Sequence, residues 1–227
     1  MQDDPQTQGL GADELGALAD LATADAEEIV ERALAIARDV LGMELAYMTQ
    51  FTPDDQVYRG VSGEADSFGM QEGGSWPIEG SYCQRMVLGE IPNAVSDTSQ
   101  EEAVRDLELT EKADIGAYVG VPITLSDGTL YGTICTTSHD AAPELAERDV
   151  QFMHVLARII ASQLEQRRLA QENESLRGRV EALRVEVDQQ ARREQVEEIT
   201  NNDWFSELSD RAEGLRRTAG SGGGEES

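Results

Sequence analysis

Two cysteines, Cys83 and Cys135, are the residues of this chain most able to do chemistry, and a thiol pair points first to redox work. The competing reading is that each is a small buried hydrophobe, the usual state of a free cysteine. His139 and His154 stand apart from each other and from any Cys/His cluster with ligand spacing, so no metal site is read and both are expected to be structural. No phosphate-cradling glycine loop, dinucleotide fingerprint or Ser-His-Asp order is found. No catalytic residue and no cofactor is therefore assigned.

The element that must position Cys135 is the segment Ile115–Ser138. Two β-branched and aromatic runs flank Asp127-Gly128, a strong hairpin signal. A two-residue loop there pairs Leu125 with Leu130, Ile123 with Gly132, Val121 with Ile134 and Gly120 with Cys135. Alternation then separates two faces. One carries Ala117, Val119, Val121, Ile123, Leu125, Leu130 and Ile134 and suits packing on helices. The other carries Tyr118, Gly120, Pro122, Thr124, Tyr131, Thr133, Cys135 and Thr137 and suits a pocket floor. Pro122 must sit where its missing N–H faces no neighbouring strand.

Around the hairpin, a helix with Ile29, Ala33, Ile36 and Val40 on one face, capped by Thr23 or Asp25, ends at Gly42. A shorter helix over 13–21 precedes it. Strands are expected over 44–52 and 56–62, joined by Pro53-Asp54-Asp55, and over 91–95. A short helix runs to Val87, and 101–109 is at least partly helical. Pro143 and Glu144 open a long helix through Phe152, Leu156, Ile160 and Leu164, with no stop near residue 165. It runs on into a heptad with Leu169, Leu176 and Leu183 at d and Asn173, Val180 and Val187 at a, a pattern that favours two parallel strands over a solvated single helix. Arg179 would face Arg184 across the seam, so a heterodimer stays open beside a homodimer through residues 155–190. A last helix over 201–217, capped by Asn201, Asn202 or Asp203, brings Trp204, Phe205 and Leu208 together, either to dock a partner or to pack on the dimer.

Lys+Arg 18 against Asp+Glu 45 gives a net charge of −27, which argues against nucleic acid or an anionic membrane as partner. The acidity concentrates in residues 1–165, which hold 31 acidic and 8 basic side chains. No run approaches the ~18 apolar residues of a membrane span. With no signal-peptide order at the N-terminus and only two cysteines, the expectation is a cytoplasmic protein. Residues 1–11 and 218–227 are expected to be disordered.

The order Glu79-Gly-Ser-Tyr-Cys-Gln-Arg-Met-Val, Ile91-Pro-Asn-Ala-Val-Ser-Asp97, Ile115-Gly-Ala-Tyr-Val-Gly-Val-Pro-Ile and Leu125-Ser-Asp-Gly-Thr-Leu-Tyr-Gly-Thr-Ile-Cys135 resembles a GAF domain. The likeness covers residues 25–165, within a domain of 12–165 that includes the N-terminal helices. It is most similar to GAF modules in front of cyclic-di-GMP phosphodiesterase modules and in sensor kinases, whose output module is here replaced by the coiled coil (166–200) and the final helix. The resemblance implies an α+β fold, a central antiparallel sheet with the terminal helices on one face and a ligand pocket on the other, beneath residues 63–114. The implied pocket residues are Trp76, Tyr82, Cys83, Asp97, Tyr118, Gly120, Thr133, Cys135 and Thr137, although Asp97 fits the cap of a turn or of the helix at Glu101 better than a ligand contact. The implied function is non-enzymatic sensing of a small molecule or redox state, relayed through the coiled coil. Two alternatives are a scaffold with a side-chain-filled pocket and a thiol enzyme related to free methionine-R-sulfoxide reductase, a GAF protein whose several-cysteine pattern is not reproduced here.

Overall fold

The structure is a computed structural model that describes residues 28–200 and 203–220, with Gly16, Leu18 and Leu21 ahead of them. The expected caps Thr23, Asp25, Asn201 and Asn202, most of the 13–21 helix, residues 1–11 and residues 221–227 lie outside the described residues.

Helix α1 (Ile29–Leu41) buries Ile29, Ala33, Leu34, Ala37 and Leu41 and starts at Glu28 with no side-chain cap. Gly42 stops it at φ 64°, a left-handed conformation in which the amide returns to the Arg38 carbonyl. Strands β1 (Leu45–Phe51), β2 (Asp55–Gly63), β3 (Ser75–Pro77), β4 (Ala94–Val95), β5 (Ala117–Thr124) and β6 (Leu130–Ser138) form one sheet in the order β3-β2-β1-β6-β5-β4, antiparallel throughout. Only Ala94 and Val95 of the expected 91–95 strand pair with β5, and β3 was not foreseen. Between β3 and β5 lie α2 (Tyr82–Val87), a 3₁₀ turn at Thr98–Gln100, α3 (Glu102–Arg105) and α4 (Glu108–Lys112).

The β5–β6 register matches the expectation at Gly120–Cys135, Val121–Ile134 and Ile123–Gly132, but the loop does not. Its loop holds three residues, Ser126 to Gly128. The Gly128 amide donates to the Leu125 carbonyl, and the Leu125 amide donates to Thr129. Gly128 takes φ 82°, which suits a type I turn followed by a left-handed residue. Thr124 thus opposes Leu130, not Tyr131, and the extra residue Tyr131 bulges to restore the register beyond it. The bulge also moves Tyr131 off the expected pocket face and against the helix-side core. Pro122 behaves as required. The Gly120 amide points to Asn93 ahead of β4, so the nitrogen of Pro122, two residues on, points past the end of that two-residue strand.

Helix α5 (Glu147–Thr200) starts three residues later than Pro143-Glu144 suggested. Asp149 accepts a hydrogen bond from the Ala146 amide at 2.8 Å, half of a capping box. In the first compact unit, residues 1–168, its Phe152, Met153, Leu156, Ile160 and Ala161 join α1 on one face of the sheet. There they bury Ala46, Met48, Ala117, Val119, Val121, Ile123 and Ile134. The opposite face holds a second core under α2–α4, with Leu45, Tyr47, Tyr58, Tyr118 and Cys135 from the sheet. In the second unit, residues 169–227, α5 carries an exposed stripe, and α6 (Asp203–Gly220) extends past residue 217. No helix among the described residues is long and apolar enough to cross a membrane.

Candidate functional site

Cys83 and Cys135, 52 residues apart, meet between the sheet and its cover, Sγ to Sγ 3.6 Å. Ser81 caps α2 by accepting the Gln84 amide at 3.1 Å, which sets Cys83 in the first turn with its side chain toward the sheet. Cys135 projects from β6, opposite Gly120 on one side and Tyr47 on the other. The Tyr118 hydroxyl lies 3.3 Å from Cys135 Sγ and 4.0 Å from Cys83 Sγ. Cys135 also donates to Thr133 Oγ1 at 3.3 Å, and Thr133 shares a 2.8 Å hydroxyl bond with Thr49. Both cysteines are free and at most 1% exposed.

Gly120 makes room for this arrangement. A Cβ there would stand 2.0 Å from the Tyr118 hydroxyl and 3.0 Å from Cys135 Sγ. The tyrosines close the site: Tyr47 meets Tyr58 edge-on at 5.8 Å, and Tyr82 tilts against Tyr118 at 5.1 Å between centroids. Tyr82 hydrogen-bonds Thr110 at 2.6 Å, anchoring α2 to α4.

Charge in this dry setting has few places to go. The Cys83 thiol is held below its usual range, chiefly by its hydrogen bond with Cys135, with Thr133, Tyr118 and Tyr47 helping and burial opposing. Cys135 is pushed well up by burial and by its hydrogen bond and repulsion with Cys83, so the pair gives up its first proton from Cys83 and resists losing the second. Burial also raises Tyr47 and Tyr118, and pushes Tyr82 up to about 12. The arrangement can stabilise one thiolate beside one thiol.

The residues expected at a pocket divide. Tyr82, Cys83, Tyr118, Thr133 and Cys135 come together with Gly120 beneath them. Thr137 is buried nearby but spends its hydroxyl on the Ala117 carbonyl at 2.9 Å. Trp76 packs on the margin of the same core and lies under the Lys112 ammonium, 5.5 Å from its ring centroid. Asp97 stays apart: its carboxylate accepts the Ser99 amide at 3.0 Å and caps the 3₁₀ turn beside a separate surface cleft of about 370 Å³. His139 stacks on Phe68, 3.9 Å and 3° apart, and bridges the Asp114 carbonyl and Ser67, while His154 is exposed on α5. Among the described residues no group of three His, Cys, Asp or Glu could hold a metal. Tyr47 and Thr49 were not anticipated here. The alternation of Leu45, Tyr47 and Thr49 carried the signal, but only pairing of β1 with β6 gives it meaning.

A six-stranded antiparallel sheet with terminal helices on one face and a covering segment on the other is the arrangement implied by the motifs. Residues 23–165 match the family described as GAF domain. The chain belongs to the GAF domain family. A cyclic di-GMP phosphodiesterase of Pseudomonas aeruginosa is 24% identical over 187 residues, 82% of this chain and 30% of the relative, so the chain spans under a third of that protein's length. The GAF domain of a phosphoenolpyruvate-protein phosphotransferase from Coxiella burnetii superposes with TM-score 0.56 at 15% identity, over 70% of this chain and 94% of that one. The phycoerythrobilin-bound GAF domain of a cyanobacterial phytochrome gives 0.56 at 15%, over 71% and 100%. These structural likenesses concern the fold.

Proposed function

We propose that the protein is a non-enzymatic signalling module in which a GAF domain registers a small molecule or a redox state and reports it through a dimeric α5 to a partner protein. The stripe on α5 supports this reading most directly. Leu169, Leu176, Val180, Leu183 and Val187 are 49–65% exposed on a helix whose earlier turns are built into the GAF core. Apolar residues at a and d over three heptads gain most by facing a second helix, and Asn173, polar at an a position, suits a paired register. Ser162 and Gln166 leave the junction with the domain as the weak part of the seam. Membership of the GAF family supports a regulatory reading. Trp204 and Leu208, exposed on α6, are the proposed partner contact together with Phe205, whose side chain lies outside the described residues.

A second reading, a scaffold whose pocket is closed by its own side chains, is favoured by one observation: Tyr82, Cys83, Tyr118 and Cys135 are each at most 1% exposed.

Equilibrium sedimentation of the full chain tests the dimer. Replacing Leu176 and Val180 together by Glu removes two apolar seam residues and adds like charges. At about 2 kcal/mol for each lost apolar burial, the dissociation constant should rise at least ~100-fold. Unchanged association in the double variant would overturn the coiled-coil reading.

A further inference from the structure

Cys83 and Cys135 are in direct contact across the two layers of this core. Their sulfurs are 3.6 Å apart, on elements that are not neighbours in the sheet: one on the cover, one on a central strand. A disulfide needs about 2.05 Å, so closure asks the two sulfurs to approach by about 1.6 Å. The surroundings are hydroxyls: Tyr118 and Thr133 bond Cys135, and Tyr118 also reaches Cys83. We propose that Cys83 and Cys135 form a dithiol–disulfide switch, oxidised in place by a hydroperoxide, that fastens the cover to the sheet.

The chemistry balances within the pair. The Cys83 thiolate attacks one oxygen of hydrogen peroxide. The O–O bond breaks, the leaving hydroxide takes a proton to become water, and Cys83 becomes a sulfenic acid. The Cys135 sulfur then attacks the Cys83 sulfur, and the S–O bond breaks as the S–S bond forms. The departing hydroxide takes the Cys135 proton as a second water. Two electrons have passed from the two thiols to the peroxide. Attack from Cys83 follows from the hydrogen bonds that favour its thiolate. Burial selects a small oxidant and excludes a bulky disulfide reagent.

Access comes from the cover itself. Helices α2, α3 and α4 have six, four and five residues, and β4 has two. Elements this short, with only two residues of ladder in β4 to tie them to the sheet, are of the kind that opens locally before a sheet unfolds. In the disulfide form a covalent bond spans 83 to 135 and limits that opening. The inference rests on the regulatory reading above, whose signal it names: the cover would be free when reduced and fastened when oxidised.

The test uses the reduced full chain, treated with stoichiometric hydrogen peroxide in native buffer and then denatured in excess alkylating reagent. The expected product has lost two hydrogens, takes up no alkyl group, yields a Cys83–Cys135 cross-linked peptide, forms at a rate independent of protein concentration and reverts with dithiothreitol. Its unfolding midpoint should rise by roughly 5–10 °C. Two thiols still alkylated after peroxide, stable sulfinic acid, or a disulfide between chains would each overturn the switch. Sedimentation of the same samples separates the two proposals. A dimer with both thiols retained sinks the switch alone, and a monomer that forms the internal disulfide sinks the coiled-coil relay alone.

Discussion

On one side the sheet presents Ala46, Met48, Val119, Val121, Ile123 and Ile134 to α1 and α5; on the other it presents Tyr47, Tyr58, Tyr118, Thr133 and Cys135 to α2–α4. The helix side is mostly aliphatic and closed by two long helices, so its geometry is set chiefly by packing. The cover side is closed by helices of four to six residues and stitched by hydroxyl and thiol hydrogen bonds. One strand supplies both: Ile134 and Cys135 are neighbours in β6 and face opposite ways. The difference gives the two faces different ways of holding together, apolar packing on one and polar hydrogen bonds on the other. A change that leaves the helix face alone can alter the cover without unfolding the domain.

The largest effect should come from the helix face. Phe152 is fully buried on α5, and Phe152→Ala should cost about 3–5 kcal/mol, read as a lower urea midpoint. A loss under about 1 kcal/mol would mean that this face is not the stable half. A smaller effect belongs to the cover. Tyr47, Tyr58 and Tyr118 are raised above their usual value and Tyr82 is pushed up to about 12, in each case chiefly by burial. A raised phenol keeps its proton in the folded chain when the unfolded chain has released it. Its contribution is therefore complete below pH about 10 and is lost as pH climbs toward the folded value. Each should cost about 1 kcal/mol of stability by pH 11, seen as a falling urea midpoint from pH 9 upward. Tyr131, half-buried on the helix side, is raised too. Stability that stays flat to pH 11 would show that the cover phenols are not dry.

Much of this fold could be read from local pattern, and the misreadings share one cause. Alternation gave the helix-facing set of β5 and the Gly120–Cys135 pairing, because a one-residue slip would have exposed Val119 and Val121. Asp127-Gly128 serves a two-residue loop and a three-residue loop with a left-handed glycine equally well, so the loop and Tyr131 were misjudged. Gathering Tyr118, Cys135 and Cys83 followed from the family motifs. Tyr47 and Thr49 were missed because they arrive through β1–β6 pairing across some 85 residues, which no local spacing encodes. Asp97 takes the turn-cap role that its sequence context favoured: its carboxylate accepts the Ser99 amide at 3.0 Å, as a short acidic residue at a turn commonly does.

The smallest effect discriminates most finely between the faces, because it compares the same chemical change on each. Thr49, Thr133 and Thr136 are all fully buried in the sheet. Thr136 is paired with Ala46 and Val119 on the helix side, and its hydroxyl has no hydrogen-bond partner. Thr49 and Thr133 hold each other at 2.8 Å on the cover side, and Thr133 also accepts from Cys135. Removing an unsatisfied buried hydroxyl costs nothing or stabilises, so Thr136→Val should leave the urea midpoint unchanged or raise it. Thr49→Val breaks a satisfied pair and should cost about 1 kcal/mol. Pairing it with Thr133→Val removes both partners, so the double variant should cost less than the sum of the singles, a coupling of roughly 0.5–1 kcal/mol. Equal and negligible effects at all three positions would mean that the cover is packed like the helix side and that its hydroxyls do not organise the thiols. A cost confined to Thr49 and Thr133 would mark the hydrogen bonds, rather than burial, as what holds Cys135 in place against Cys83.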